Sequence, residues 1–156
     1  MSPDNLAFVS FEPARGKFAG FLSIEAALSS ERDPEAALAH ASEVYGQSVA
    51  AMQSALRDIE AARASRRLIP ARKVWQLGHI IFELKDELAE LGLQLDGMYN
   101  HLSRDLPVKK KWLEKVVIMR RYIPEQAMIP ETLNWGRCEK GTRRVAQRLS
   151  KGLVPD

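Results

Sequence analysis

Two runs of candidate core positions, apolar except for Ser42 and spaced alternately four and three apart, constrain the fold of this 156-residue chain more than any other feature. The first run is Leu38, Ser42, Tyr45, Val49, Met52, Leu56 and Ile59, and the second is Leu77, Ile81, Leu84, Leu88 and Leu91. Such spacing is typical of a helix that buries one apolar seam. We therefore predict two long helices.

The segment between the two runs predicts how these helices connect. Asp33 is placed to cap the first helix, and Pro34 suits the first helical position. The sequence LIPAR places Pro70 between the runs, so the first helix should end near Arg67 and the second should cover about residues 71–91. A short link favours an antiparallel hairpin. Periodicity alone does not distinguish a seam that closes on its neighbour from one that forms a dimer.

Residues 99–122, YNHLSRDLPVKKKWLEKVVIMRRY, have the pattern of a helix-turn-helix unit. Pro107 should end the first of its helices, because proline disfavours helical geometry in the residue before it. Glycine is common in such turns, and this chain has proline instead. Ser103 is small enough for the two helices to cross there. The residues expected to face inward are Leu102, Leu106, Val108, Leu113 and Val116.

The second helix of this unit is strongly basic. We predict that four lysines and two arginines bind nucleic acid, because ammonium and guanidinium groups contact phosphates and can reach base edges in the major groove. These candidate residues are Lys109, Lys110, Lys111, Lys115, Arg120 and Arg121. The alternative is an ordinary solvated face, since charged residues also keep a helix soluble.

The net charge of +3 is unevenly distributed along the chain. From residue 107 to the end, twelve Lys and Arg face five Asp and Glu, a net charge of +7, whereas residues 1–106 carry −4. Such asymmetry is typical of a polyanion-binding surface. Residues 141–152 predict a basic amphipathic helix with Arg143, Arg144 and Arg148, which would bind phosphates, RNA or a partner protein.

The N-terminal residues are harder to assign. We expect a short strand at residues 8–11, a break at Pro13 and Gly16, and an amphipathic helix over residues 17–29 that covers the core or docks onto a partner. Overall the chain is predicted to be mainly α. We divide it into an N-terminal extension (1–30) and one helical domain (31–156), which contains the hairpin (31–92), the helix-turn-helix-like unit (93–124) and a basic C-terminal segment (125–156).

Several kinds of site are not expected. A single cysteine, Cys138, excludes an internal disulfide, and with the scattered His40, His79 and His101 it does not build a zinc site. No apolar run approaches the roughly 20 residues that a membrane span needs. The N-terminus lacks the basic-then-apolar order of a signal peptide. We expect a cytoplasmic protein without cofactor, metal or membrane contact.

The order RKVWQLGHII, YNHLSRDL and WLEKVVIMRRYI resembles the N-terminal helical domain of YhcG-type nucleases, proteins of bacterial mobile-element and antiviral defence contexts. The likeness covers about residues 70–124. It implies a helical, DNA-associated module. The matching positions are Trp75, Gly78, Leu102, Asp105, Leu106, Leu113, Met119 and Tyr122.

The chain also departs from that family. The family carries a C-terminal PDDEXK-type nuclease domain, and the roughly 30 residues after the third helix are too few to form one. The run Glu83-Leu84-Lys85 matches a glutamate-x-lysine pattern, but it lies in a predicted helix without a partnering aspartate, and we interpret it as coincidence. No other catalytic motif is present, so we predict no catalytic residues and no enzymatic activity.

These observations favour a non-catalytic bacterial DNA-binding protein that forms a homodimer or binds partner subunits through its helical seams. One alternative is a small helical subunit or adaptor of a larger nucleoprotein complex, contacting RNA or single strands. Few aromatic residues lie among the lysines, which disfavours recognition of single strands by base stacking. Another alternative is a purely protein-binding regulator.

Overall fold

The computed structural model describes residues 6–11, 18–23, 34–90, 93–94 and 98–153. Helices dominate these ranges and confirm the mainly α class. In chain order they are α1 (Pro34–Ala64), α2 (Ala71–Glu90), α3 (Met98–Asp105), α4 (Lys110–Tyr122), α5 (Trp135–Lys140) and α6 (Thr142–Ser150), with a 3-10 turn at Gln126–Met128.

Helices α1 and α2 pack against each other through the two predicted seams. Leu56 is half-buried, while the remaining seam positions with described side chains lie in one continuous core: Tyr45, Val49, Met52, Ile59, Leu77, Ile81, Leu84 and Leu88. Leu91 and the side chains of Leu38 and Ser42 lie outside the described residues. The seams therefore close within one chain, which confirms the hairpin.

A small antiparallel sheet includes the N-terminal segment, in the order β1 (Leu6–Phe11), β2 (Phe18–Ser23) and β3 (Leu93–Gln94). The strand expected at residues 8–11 is confirmed, but a helix over residues 17–29 is wrong for residues 18–23. Phe18 pairs with Phe11, and Leu22 pairs with Leu93. The aromatic residues have helical spacing, but Gly20 is a poor helix former and two neighbouring strands provide hydrogen-bond partners. The segment is therefore a strand. Residues 24–29 lie outside the described ranges.

The C-terminal segment clamps the connection between α1 and α2. An antiparallel bridge pairs Pro70 with Asn134. The amide of Ala71 donates to the carbonyl of Leu133 at 2.9 Å, and that of Trp135 donates to the carbonyl of Ile69 at 2.7 Å. The Asn134 side chain then caps α5 by accepting from a backbone amide in its first turn. Leu133, Trp135 and Ile129 are buried.

Helices α2 and α4 approach each other at Gly78. A Cβ atom built on this residue would stand 2.7 Å from the carbonyl oxygen of Val116, closer than real Cβ contacts allow. One turn earlier in α2, the indole N–H of Trp75 donates to the carbonyl of Ile123, just after α4, at 2.6 Å. Because earlier residues of α2 meet later residues of α4, the two helices run in opposite directions.

Replacing Gly78 with alanine should lower the free energy of unfolding by about 1–3 kcal/mol, because the backbone of α4 would have to move away from the new methyl group. Thermal and urea denaturation followed by circular dichroism would measure this loss. Gly141→Ala is the matched control, since a Cβ there meets no atom within 4 Å. Equal losses in the two variants would contradict close packing at Gly78.

Helix α1 ends in a left-handed residue that is not glycine. The amide of Arg66 donates to the carbonyl of Arg63, and the amide of Arg67 donates to that of Ala62, both at 3.0 Å. This is the hydrogen-bond pattern of a Schellman motif, whose left-handed position is usually glycine. Here Arg66 occupies it with φ of 57°. A non-glycine residue pays about 1–2 kcal/mol in this conformation.

Arg66→Gly should therefore raise the free energy of unfolding by about 0.5–1 kcal/mol, less than the full strain because glycine gains entropy in the unfolded chain. Urea denaturation measures the change. Arg67→Gly is the control, because Arg67 has no positive φ. It should be neutral or destabilising. A less stable Arg66 variant would show that the arginine side chain contributes contacts that outweigh its backbone strain.

Candidate nucleic-acid interface

The predicted turn between the two helices of the central unit is held by side-chain and backbone hydrogen bonds. Helix α3 ends at Asp105 and α4 begins at Lys110, with Leu106 buried and Val108 half-buried between them. The hydroxyl of Ser103 donates to the carbonyl of Val108, and the amide of Val108 donates back to the carbonyl of Ser103 at 3.3 Å. Ser103 therefore closes the turn that places α4.

Asp105 ties this unit to the hairpin. Its carboxylate is 3% exposed, and its Oδ2 atom accepts a hydrogen bond from the hydroxyl of Tyr45 in α1 at 2.7 Å. The Nε atom of Arg104 lies 3.3 Å from Oδ1. Burial and the bond to Asp105 raise the pKa of Tyr45, so the phenol remains a donor. Asp105, one of the positions in the YhcG-type resemblance, thus has a structural role here.

Three exposed lysines stand together at the start of α4: Lys109, Lys110 and Lys111, which we call the lysine triplet. None forms an ion pair with any residue that the structure describes. The first turn contains no acidic residue, and Lys109 gives no side-chain cap. A helix N-terminus already carries partial positive charge from its unpaired N–H groups. The triplet therefore concentrates positive charge that no described carboxylate neutralises.

Lys115 lies one turn further along α4 and has a partner. Its Nζ atom is 3.2 Å from Oε1 of Glu139 in α5, and both side chains are substantially exposed. Exposed pairs of this kind contribute at most about 1 kcal/mol, so a phosphate could replace the carboxylate. Lys115 thus lies next to the triplet, and Glu139 partly neutralises its charge.

Arg120 is half-buried between α4 and α2. Its Nε atom donates to Nδ1 of His79 at 3.0 Å, and its guanidinium lies 4.3 Å from the ring centroid of Phe82 and 5.3 Å from that of Trp75. His79 stacks on Trp75 with centroids 4.8 Å apart. Because Nδ1 accepts, we assign the imidazole proton to Nε2, which faces Glu83 at 3.2 Å. Arg120 therefore joins two helices, and we leave it out of the interface.

Arg121 differs from its neighbour because it is exposed. It lies near Tyr99 of α3, whose pKa is raised by burial and, more weakly, by Glu114, while the positive charge of Arg121 opposes this shift. The same half of α4 also exposes Ile118 and Tyr122, at 39% and 46% of their surface. The C-terminal half of α4 is thus less uniformly basic than its first turn.

Helix α6 packs against α4 and confirms the predicted amphipathic helix. Val145, Ala146 and Leu149 form its buried face. Arg143 and Arg144 are exposed at its start, whereas Arg148 is half-buried.

The structure therefore gives the candidate residues different surroundings. The lysine triplet shares one turn, and Arg143 and Arg144 project from a neighbouring helix, whereas Lys115 and Arg120 are engaged with other elements. Sequence reasoning did not identify the partners of those two. Trp75, His79 and Phe82 are spaced to share one face of α2, and this spacing in the sequence could have predicted a binding site for an arginine side chain.

Among the residues that the structure describes, no cluster of three or more His, Cys, Asp or Glu is arranged to hold a metal ion. Burial raises the pKa of the Cys138 thiol to about 11, so it stays protonated and unreactive near neutral pH. Within the same ranges, none of the helices combines the length and apolar character needed to cross a bilayer.

Comparisons with protein-family models, curated proteins and solved structures return no match to this chain.

Arg120 and Arg121 offer a direct test of the packing role. Arg120→Gln should lower the free energy of unfolding by about 1–3 kcal/mol, because it removes the contacts with two aromatic rings and the bond to His79. Arg121→Gln removes the same charge from an exposed position and should change stability by about 0.5 kcal/mol or less. Chemical denaturation compares the two. Equal effects would contradict a structural role specific to Arg120.

Proposed function

We propose that the protein is a non-catalytic DNA-binding protein that contacts duplex DNA through the start of α4. The observation that carries this proposal is the lysine triplet, which is exposed at the positive end of a helix and forms no ion pair with a described residue. Each cation near that end costs about 0.3–1 kcal/mol of helix stability. An anion bound there would offset this cost.

The arrangement favours a polyanion over a single small anion. Successive residues of a helix point about 100° apart, so neighbouring lysines diverge instead of converging on one phosphate. Diverging ammonium groups suit several phosphates along a nucleic-acid backbone. Helix α4 itself has 13 residues and a diameter that the DNA major groove accommodates. Arg143 and Arg144 on α6 would add flanking phosphate contacts.

The aromatic residues near the triplet favour a duplex over single strands. Proteins that bind single strands stack bases on exposed aromatic rings. Trp112 is half-buried and meets Trp135 edge-on, with centroids 6.4 Å apart. Tyr122 is the exposed aromatic residue of α4, and it stands at the opposite end of that helix from the triplet.

A second candidate function is that of an adaptor within a larger nucleoprotein complex. It is favoured by the exposed apolar pair of Ile118 and Tyr122, one turn apart on α4. A protein partner bound there would leave the triplet open to nucleic acid. An origin in a bacterial defence or mobile-element system rests on the YhcG-type resemblance.

The deciding experiment measures binding to duplex DNA, single-stranded DNA and RNA over a range of salt concentrations. Lys110→Glu together with Lys111→Glu should abolish duplex binding, because two phosphate contacts become repulsions. The same variant should be more stable than the wild type, because acidic side chains favour a helix N-terminus. Loss of binding would then be separated from loss of folding.

Lys73→Glu together with Lys85→Glu is the matched control, since it changes the net charge equally at two exposed lysines of α2. Duplex binding that survives in the triplet variant would refute the proposed site. Equal losses in both double variants would indicate a net-charge effect. Stronger binding of RNA or single strands would favour the nucleoprotein adaptor.

A further inference from the structure

The connection between α1 and α2 presents a second unusual surface, which we call the hairpin tip (residues 65–68). Leu68 is 75% exposed, the highest value among the large apolar side chains of the described residues. Arg66 and Arg67 beside it are exposed and form no ion pair with a described residue. Arg63, by contrast, is paired with Glu60 at 2.6 Å. The tip therefore combines two exposed guanidinium groups, neither paired with a described carboxylate, with one exposed apolar side chain.

The backbone of the hairpin tip is held on both sides. On the α1 side, the amide of Ser65 donates to Ala61 at 3.1 Å, and the amides of Arg66 and Arg67 complete the Schellman motif. On the α2 side, the carbonyl of Ile69 accepts from the amide of Trp135. Leu68 is thus exposed on an ordered turn. An exposed Leu68 does not contribute the hydrophobic stabilisation that a buried leucine would provide. Arg66, two residues earlier, has a strained backbone conformation.

The tip and the lysine triplet lie toward opposite ends of α4. Trp75, near the start of α2, bonds to Ile123 just beyond the C-terminus of α4, whereas the triplet lies at its N-terminus. The 13 residues of α4 span about 20 Å. Along one face of B-DNA, major and minor grooves alternate about every half turn, or about 17 Å. The tip precedes Trp75 in the chain, so it is separated from the triplet by at least about the length of α4. The two surfaces would therefore contact different grooves of one duplex.

We propose that the hairpin tip is a minor-groove contact of the same DNA duplex. Arg66 and Arg67 would enter the narrow, strongly negative groove, and Leu68 would wedge against a base step and bend the duplex. Arginine flanking an inserted apolar side chain is the chemistry by which minor-groove proteins bend DNA. This inference rests on the proposed function, because it adds a groove contact to the same complex.

A lipid surface is the main competing partner for an arginine-flanked leucine. Interfacial membrane binding requires a large buried apolar area in addition to basic residues. The hairpin tip offers a single large apolar side chain, since Ile69 is half-buried against the domain. A wedge between base pairs requires no more than one such side chain, so DNA is the better match.

The test uses a duplex with a fluorophore at each end and 2-aminopurine at a central TA step, which brightens when unstacked. Arg66→Gly together with Arg67→Ala should reduce the slope of log affinity against log salt by about 2, because each guanidinium in the groove displaces about one counterion from the flanking phosphates. Leu68→Ser should keep the salt slope while abolishing both the bend and the 2-aminopurine signal. Arg57→Ala is the control, an exposed α1 arginine without an ion pair to a described residue.

Tip variants that bind and bend the duplex like the wild type, alongside a Lys110 and Lys111 variant that no longer binds, would overturn the tip contact and leave the proposed function standing. Failure of the wild type to bind any duplex would refute both proposals. Leu68-dependent binding to vesicles of phosphatidylcholine and phosphatidylserine, with DNA bending unchanged in Leu68→Ser, would assign the tip to membranes and overturn this inference.

Discussion

The contact between α2 and α4 determines what the rest of the molecule can present. At Gly78 the absence of a side chain lets the backbone of α4 approach to van der Waals distance. The bond from Trp75 to Ile123 then fixes the far end of that helix, and Arg120 fills the space between them. One side of α4 packs against α2. This packing fixes which side of α4 faces outward and therefore where the lysine triplet lies.

The basic side chains of this protein fall into two groups: some pack or pair with other residues, and others are exposed. Arg120 sits against two aromatic rings and a histidine, and Lys115 meets a glutamate of α5, so both cations have local partners. The lysine triplet lacks such partners among the described residues and stands where the helix dipole disfavours it. The hairpin tip repeats this pattern with Arg66, whose left-handed backbone conformation favours glycine. We propose that binding explains these positions, because they cost stability and no described residue offsets that cost.

The sequence predicted the helical part of the fold well because its apolar spacing was regular. Val49 and Ile81, for example, are buried where the four-three alternation placed them. The helix predicted over residues 18–23 is wrong. The spacing of their aromatic residues is typical of a helix, but pairing with residues distant in sequence makes this segment a strand. The burial of Arg120 was equally hidden, since its aromatic and histidine neighbours lie some 40 residues away in sequence. A linear charge count also cannot separate the exposed triplet from the paired Lys115, because the partner glutamate belongs to another helix.

We propose that the start of α4 is the surface that contacts duplex DNA. The most direct measurement is a titration of the isotope-labelled protein with a short duplex, followed by the backbone amide resonances. We expect the amide resonances of Lys110 and Lys111 to shift first and the amide resonance of Lys85 on α2 to stay in place. Shifts centred on Ile118 and Tyr122, with the amides of the first turn unmoved, would contradict it.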